Sequence, residues 1–204
     1  MRPIPLLLAL VLGGAVALAK EKPPVIHRIP LPPRPAFSDL DWLIGEWTGK
    51  TTGKSPEGEV SLTVILDLDK RFMILRGQVT LAGTPTLVES KETWLGVLSQ
   101  ERPGEGFVLR VFSDTGFVSR YRVTVNAGTL SLNPEGGEHP PPGWLFRRTL
   151  QRTGVGEMLE TVQVAPPQKP FFDYYAAKLT RAASPIAAPT PPVPSGLCPG
   201  PGPP

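Results

Sequence analysis

The sequence predicts an all-β domain, eight to ten antiparallel strands closed into a barrel. Short segments that alternate apolar and polar residues follow one another through the middle of the chain, with Gly, Pro and Asp between them. Hairpins folded at those turns keep their apolar residues on one face. Proline-rich stretches bracket the pattern and leave about 147 residues, Phe37 to Ala183, as one ordinary domain with a sizeable core.

Met1 to Ala19 reads as a secretory signal peptide. Arg2 is its only charge, Leu6 to Ala19 is unbroken apolar residue or glycine, and Ala17-Leu18-Ala19 offers a small-x-small cleavage site. The apolar run of about 14 residues falls short of the ~20 that span a bilayer, so no membrane span is expected after cleavage. The expected location is therefore secreted or periplasmic. Residues 20–36 form a stiff linker carrying Pro23, Pro24, Pro30, Pro32, Pro33 and Pro35. Residues 184–204 hold nine prolines and no charged side chain, a composition that cannot offset ordering entropy, so a disordered tail is expected.

The charge balance is 21 basic against 18 acidic residues, and losing Arg2 with the leader leaves a formal +2. That is too mild for a nucleic-acid partner. The single cysteine, Cys198, lies in the tail without an intramolecular partner, so stability must come from the core. Nothing in the sequence specifies an oligomeric state.

Strands are expected near 45–51, 59–68, 71–81, 86–98, 105–113, 117–125, 129–133, 144–152, 156–164 and 171–181. With Asp69-Lys70 as a turn, Val60 faces Val79, Leu62 faces Gly77, Val64 faces Leu75 and Leu66 faces Met73. Across Gly83, Val79 faces Val88, Leu75 faces Glu92 and Met73 faces Trp94. Around Asp114-Thr115-Gly116, Phe107 faces Val123, Leu109 faces Tyr121 and Val111 faces Ser119. Turning at Gly154, Trp144 faces Val164, Phe146 faces Val162, Arg148 faces Glu160 and Leu150 faces Met158. Twist and the removal of exposed edges favour closing such a meander into a barrel, with a two-sheet sandwich as the alternative.

The opening of the domain, Trp42-Leu43-Ile44-Gly45-Glu46-Trp47, places a Gly-x-Trp behind a short turn-forming segment. It resembles the opening of lipocalins and other calycin barrels, above all secreted bacterial lipocalin-like proteins of unknown function and nitrobindin-type barrels. The resemblance covers this motif and the strand count. It implies that Trp47 plugs the closed end and that a cation from the last strand, Arg181 or Lys178, lies over its ring. Nitrobindin-type barrels hold haem through a barrel histidine. His27 lies in the lead and His139 in an expected loop, so no strand offers one and no cofactor is expected.

Polar residues on the apolar face carry the chemistry. Arg148, Glu160 and Glu92 fall there, with Trp94, Tyr121, Phe146 and Met158 around them and Tyr175 joining the face. Buried charges persist only when paired. Arg148 and Glu160 therefore form either a self-satisfied ion pair or, through the spare donors of the guanidinium, a seat for an anionic ligand head. The leading reading is a small apolar or amphipathic ligand held inside the barrel. An enzyme using Glu92 or Glu160 as a general acid, and a purely structural barrel, are the alternatives. A hollow interior separates the first two from a barrel filled by Met73, Trp94, Tyr121 and Phe146.

Asp114-Thr115-Gly116 matches the aspartic-protease motif but occurs once and closes a hairpin, which is ordinary turn chemistry. Glu135, Glu138 and His139 fit no standard metal spacing, so no metal is expected. Arg110 opposite Arg120, with Arg122 one step on, marks a basic outer face, either solvated or contacting an anion. No nucleophile elbow or phosphate loop is present.

Overall fold

A computed structural model of the chain describes residues 29–83, 88–102 and 105–182. The expected signal peptide, most of the linker and the expected tail with Cys198 lie outside the described residues. Of the leading unit, residues 1–31, only Ile29 to Leu31 are described, without regular secondary structure. No helix among the described residues is long and apolar enough to cross a membrane.

A short 3-10 helix (Ser38–Leu43) leads into ten strands: β1 (Gly45–Thr51), β2 (Gly58–Asp67), β3 (Phe72–Leu81), β4 (Ser90–Gln100), β5 (Phe107–Ser113), β6 (Val118–Asn126), β7 (Thr129–His139), β8 (Leu145–Gly154), β9 (Glu157–Ala165) and β10 (Phe172–Arg181). Each pairs antiparallel with its chain neighbours, and β1 closes the ring against β10. Closure leaves no free edge to template aggregation. The barrel expected from the sequence is the fold observed, at the upper end of the strand count.

Two hairpins have the expected register. Val60 pairs with Val79 and Val64 with Leu75 across β2–β3, and Leu109 pairs with Tyr121 and Arg110 with Arg120 across β5–β6. Two slip. Across β3–β4, Leu75 pairs with Gly96, Gly77 with Trp94 and Val79 with Glu92, four residues from the expected register. The connection there is a wide loop rather than a turn at Gly83, and Val88 is 85% exposed outside β4 instead of facing Val79. Across β8–β9, Arg148 pairs with Val162 and Leu150 with Glu160. The left-handed turn position is Gly156, at φ +71°, and not Gly154, so the pairing moves two residues. Both slips are even, and a strand shifted by an even number of residues keeps its inner face.

β7 runs six residues further than expected and takes in Glu138 and His139 as strand rather than loop. Pro134-Glu135-Gly136-Gly137 reads as a turn, yet irregular pairing with β6 carries the strand through it, and Gly136 sits at φ +113°. β7 pairs with β8 only over Thr129–Leu132, so Pro134 lies where that edge carries no ladder and its missing N–H costs nothing.

One end of the barrel is plugged. The 3-10 helix buries Leu40 and Leu43 completely, and Trp47 is 1% exposed with its Nε1 donating to the Leu43 carbonyl at 2.7 Å. Arg181, and not Lys178, lies over the Trp47 ring at 4.7 Å from its centroid and also donates to the Trp42 carbonyl. Gly45 is required because its φ of +134° is closed to other residues. Met73, Leu75, Leu98, Leu109, Leu150 and Met158 fill the half of the barrel above this plug.

Removing the indole with Trp47→Ala should cost about 3–5 kcal/mol in urea unfolding. Arg181→Ala should cost less, roughly 1–2 kcal/mol, because it removes one cation–π contact and one hydrogen bond. A Trp47→Ala loss below that for Arg181→Ala would contradict the plug.

Candidate functional site

The other half of the barrel is hollow. A cavity of about 440 Å³ opens at the end opposite the plug, between the β5–β6 turn and the Pro141–Trp144 segment. It lies on the side where β7 and β8 have stopped pairing. Its apolar wall is Trp94, Val111, Tyr121, Leu132, Phe146 and Val162, with Trp144 at the mouth, 42% exposed.

The cavity exists because of two glycines. A Cβ on Gly77 would fall 2.2 Å from the Trp94 indole, and one on Gly96 would fall 3.2 Å from the same ring. Trp94, paired directly with Gly77, therefore lies against bare backbone and leaves the space above it open. The other partner of that ring is Arg148, whose guanidinium carbon is 4.2 Å from the ring centroid. Cation–π stacking of a desolvated guanidinium on an indole is worth about 2 kcal/mol.

Arg148 stands at the boundary between the filled and the hollow halves. Its side chain is 16% exposed, and its Nε is 3.2 Å from Glu160 Oε1. The ion pair foreseen from the sequence forms diagonally, after the two-residue slip, rather than between directly opposed residues. Among the described residues, Arg148 Nη1 and Nη2 are hydrogen-bonded to no acceptor. Burial works against the guanidinium charge, but the oxygens of Tyr175, Glu160, Tyr121 and Glu92 outweigh it and raise the pKa further. Arg148 is a fixed cation with donors to spare.

Glu160 sits behind it, 2% exposed and outside the cavity lining. Tyr175 donates to its Oε1 at 3.4 Å, while its Oε2 is buried with no partner. Burial pushes the carboxyl up, against the opposing pull of Arg148 and the Tyr175 hydroxyl. Met158 also lies outside the cavity, packed in the filled half, where it pairs with Arg152.

Glu92 does line the cavity, near the mouth, and its Oε1 accepts from Tyr174 at 3.1 Å. Tyr174 was not legible in the sequence. A β-bulge between Asp173 and Tyr175 turns two consecutive tyrosines inward, where strict alternation allows one. Asp114 is a rim residue held by the turn, accepting the Thr93 amide at 2.8 Å, so its motif serves the hairpin. The prolines Pro141 and Pro142 were visible only as a loop.

No group of three or more metal-ligating side chains is found among the described residues. Glu135 instead binds Arg120 and Arg122, and Glu101 also binds Arg120, which answers the like-charge pairing on the outer face. His139 packs its ring 5.8 Å from Phe117 and does not line the cavity.

Chemically, the cavity offers a flat aromatic floor, one cation with unused donors at depth, and a polar mouth. Gly77→Ala should force Trp94 off that floor. The expected result is a loss of roughly 1–3 kcal/mol in stability, as for overpacked cores, with a shift of the tryptophan emission. An unchanged emission maximum and unchanged melting would show that the indole does not rest there.

The sequence matches no family model, and no curated protein matches it. Among solved structures the chain is similar to the crystal structure of Rv2717c from M. tuberculosis, at 20% identity over 73% of this chain and 98% of that one, with a TM-score of 0.52. That likeness is one of fold: a closed antiparallel ten-stranded barrel.

Proposed function

We propose that this protein is a lipocalin-like binding protein that holds a small, mainly apolar molecule with an anionic end, its acid group on Arg148 and its body against Trp94 and Phe146. One observation carries the reading: a buried cation with free donors faces a cavity that is otherwise largely apolar. An arginine in such a place is costly unless an anion answers it, and Glu160 reaches only the Nε side. A volume of about 440 Å³ lies within the range of small-molecule sites. A barrel packed solid by Met73, Trp94, Tyr121 and Phe146 would have favoured a structural role; only Met73 belongs to the filled half.

Binding is favoured over catalysis by the position of the carboxylates. Glu160, whose pKa is raised, stands outside the cavity and cannot reach a bound molecule, while Glu92 is engaged by Tyr174. The proposal includes export, on the strength of the Met1–Ala19 pattern. Cleavage after Ala19 is read directly from the mass of the protein recovered outside the cytoplasm.

Two dyes of nearly the same shape test the anion seat: anilinonaphthalene sulfonate, and phenylnaphthylamine, which lacks the sulfonate. The wild type should bind both. Arg148→Met should weaken the sulfonate at least about tenfold, the loss of one buried charge-assisted contact, and leave the neutral dye within about twofold. Equal effects on both dyes, or on neither, would refute the assignment of Arg148.

A further inference from the structure

Glu160 is the second charge of the site, although it touches no part of the cavity. The resting pair is neutral overall, Arg148 against Glu160. A ligand anion settling on the free Nη atoms of Arg148 leaves two negative groups sharing one cation inside the barrel. One of them must be neutralised or held at high cost. Glu160 is poorly equipped to keep its charge without Arg148, since its Oε2 is buried without a donor and its Oε1 meets only the Arg148 Nε and the Tyr175 hydroxyl.

We infer that an anionic ligand displaces Glu160 as the counter-ion of Arg148 and that Glu160 takes up about one proton when the complex forms. The inference rests on the reading of Arg148 as the ligand's anchor and adds a condition to it: the site binds an anion together with a proton.

The neighbours leave Glu160 as the acceptor. From β8 it meets Arg148 and from β10 Tyr175, while Tyr121 on β6 and Glu92 on β4 act on Arg148 rather than on Glu160. The facing inner residues of β2 and β3, Leu62, Val64, Leu75 and Val79, are not titratable. Burial pushes the hydroxyls of Tyr121 and Tyr175 up, so neither exchanges a proton near neutrality. Glu92 lines the cavity and accepts from Tyr174, and it does not touch the Arg148–Glu160 pair. Burial already pushes the Glu160 carboxyl up, and Arg148 is the largest influence holding it down. A ligand that engages Arg148 weakens that hold.

The sign follows from linkage. The complex binds more protons than the free protein, so anion affinity rises as pH falls, over the window between the Glu160 pKa in the free protein and its higher value in the complex. Anilinonaphthalene sulfonate is a suitable probe because its sulfonate stays ionised throughout. Its affinity for the wild type should rise by up to about tenfold per unit as pH is lowered through that window, while phenylnaphthylamine shows no trend. Calorimetry in two buffers of different ionisation heat should count uptake approaching one proton per sulfonate. Glu160→Gln should flatten the profile and bind the sulfonate roughly tenfold more tightly at about pH 8, since the competing charge is gone.

A flat wild-type profile, with binding still dependent on Arg148, overturns this inference and leaves the anion seat standing. A pH trend that survives Glu160→Gln also overturns it, as does one removed by Glu92→Gln instead. Should Glu160→Gln fail to fold by its far-ultraviolet spectrum, the proton count on the wild type decides alone, and a value near zero is contrary. Sulfonate binding indifferent to Arg148→Met sinks the parent reading, and this one with it.

Discussion

A guanidinium stacked on an indole, inside a barrel and half-answered by a carboxylate, is the constraint on which the site depends. Arg148 can remain charged there because Trp94 offers its π face and Glu160 its Oε1. Trp94 can lie flat because Gly77 and Gly96 present no side chain beneath it. The hollow above the indole follows from that placement. A strand residue of ordinary bulk at Gly77 would push the ring into the cavity and remove both the floor and the partner of Arg148.

Dense packing and the open cavity occupy opposite halves of the barrel. The plugged half is densely filled, with Trp47 hydrogen-bonded to Leu43 and covered by Arg181, and with leucines and methionines from most strands buried above it. An unfilled cavity costs contacts, and the dense half supplies the burial that tolerates it. Outside the ring, the segment leading into the domain is tied to the β2–β3 turn. Arg34 grips the Asp69 carboxylate, which the contact holds below its usual pKa, and Arg71 donates to the Pro32 carbonyl.

The fold was legible because its signal has period two. Apolar alternation survived a four-residue slip in β3–β4 and a two-residue slip in β8–β9, since even shifts preserve the inner face. Arg148, Glu160, Glu92, Trp94, Tyr121 and Phe146 were placed inward for that reason. What alternation cannot encode was missed. The bulge in β10 that turns Tyr174 inward breaks the period, and the irregular pairing that continues β7 through Pro134 and Gly136 looks like a turn. Depth along the strand was also beyond reach: Met158 and Glu160 lie outside the cavity, while Phe146 lines it and Arg148 stands at its boundary. Which glycine takes the left-handed position, Gly154 or Gly156, decided the β8–β9 register.

The most direct test of the account is a crystal structure of the protein with bound anilinonaphthalene sulfonate. The sulfonate should lie within about 3 Å of the Arg148 Nη atoms, a charge-assisted hydrogen-bond distance, with the rings against Trp94 and Phe146. A sulfonate directed out of the mouth, or a dye bound only on the outer surface, would contradict it.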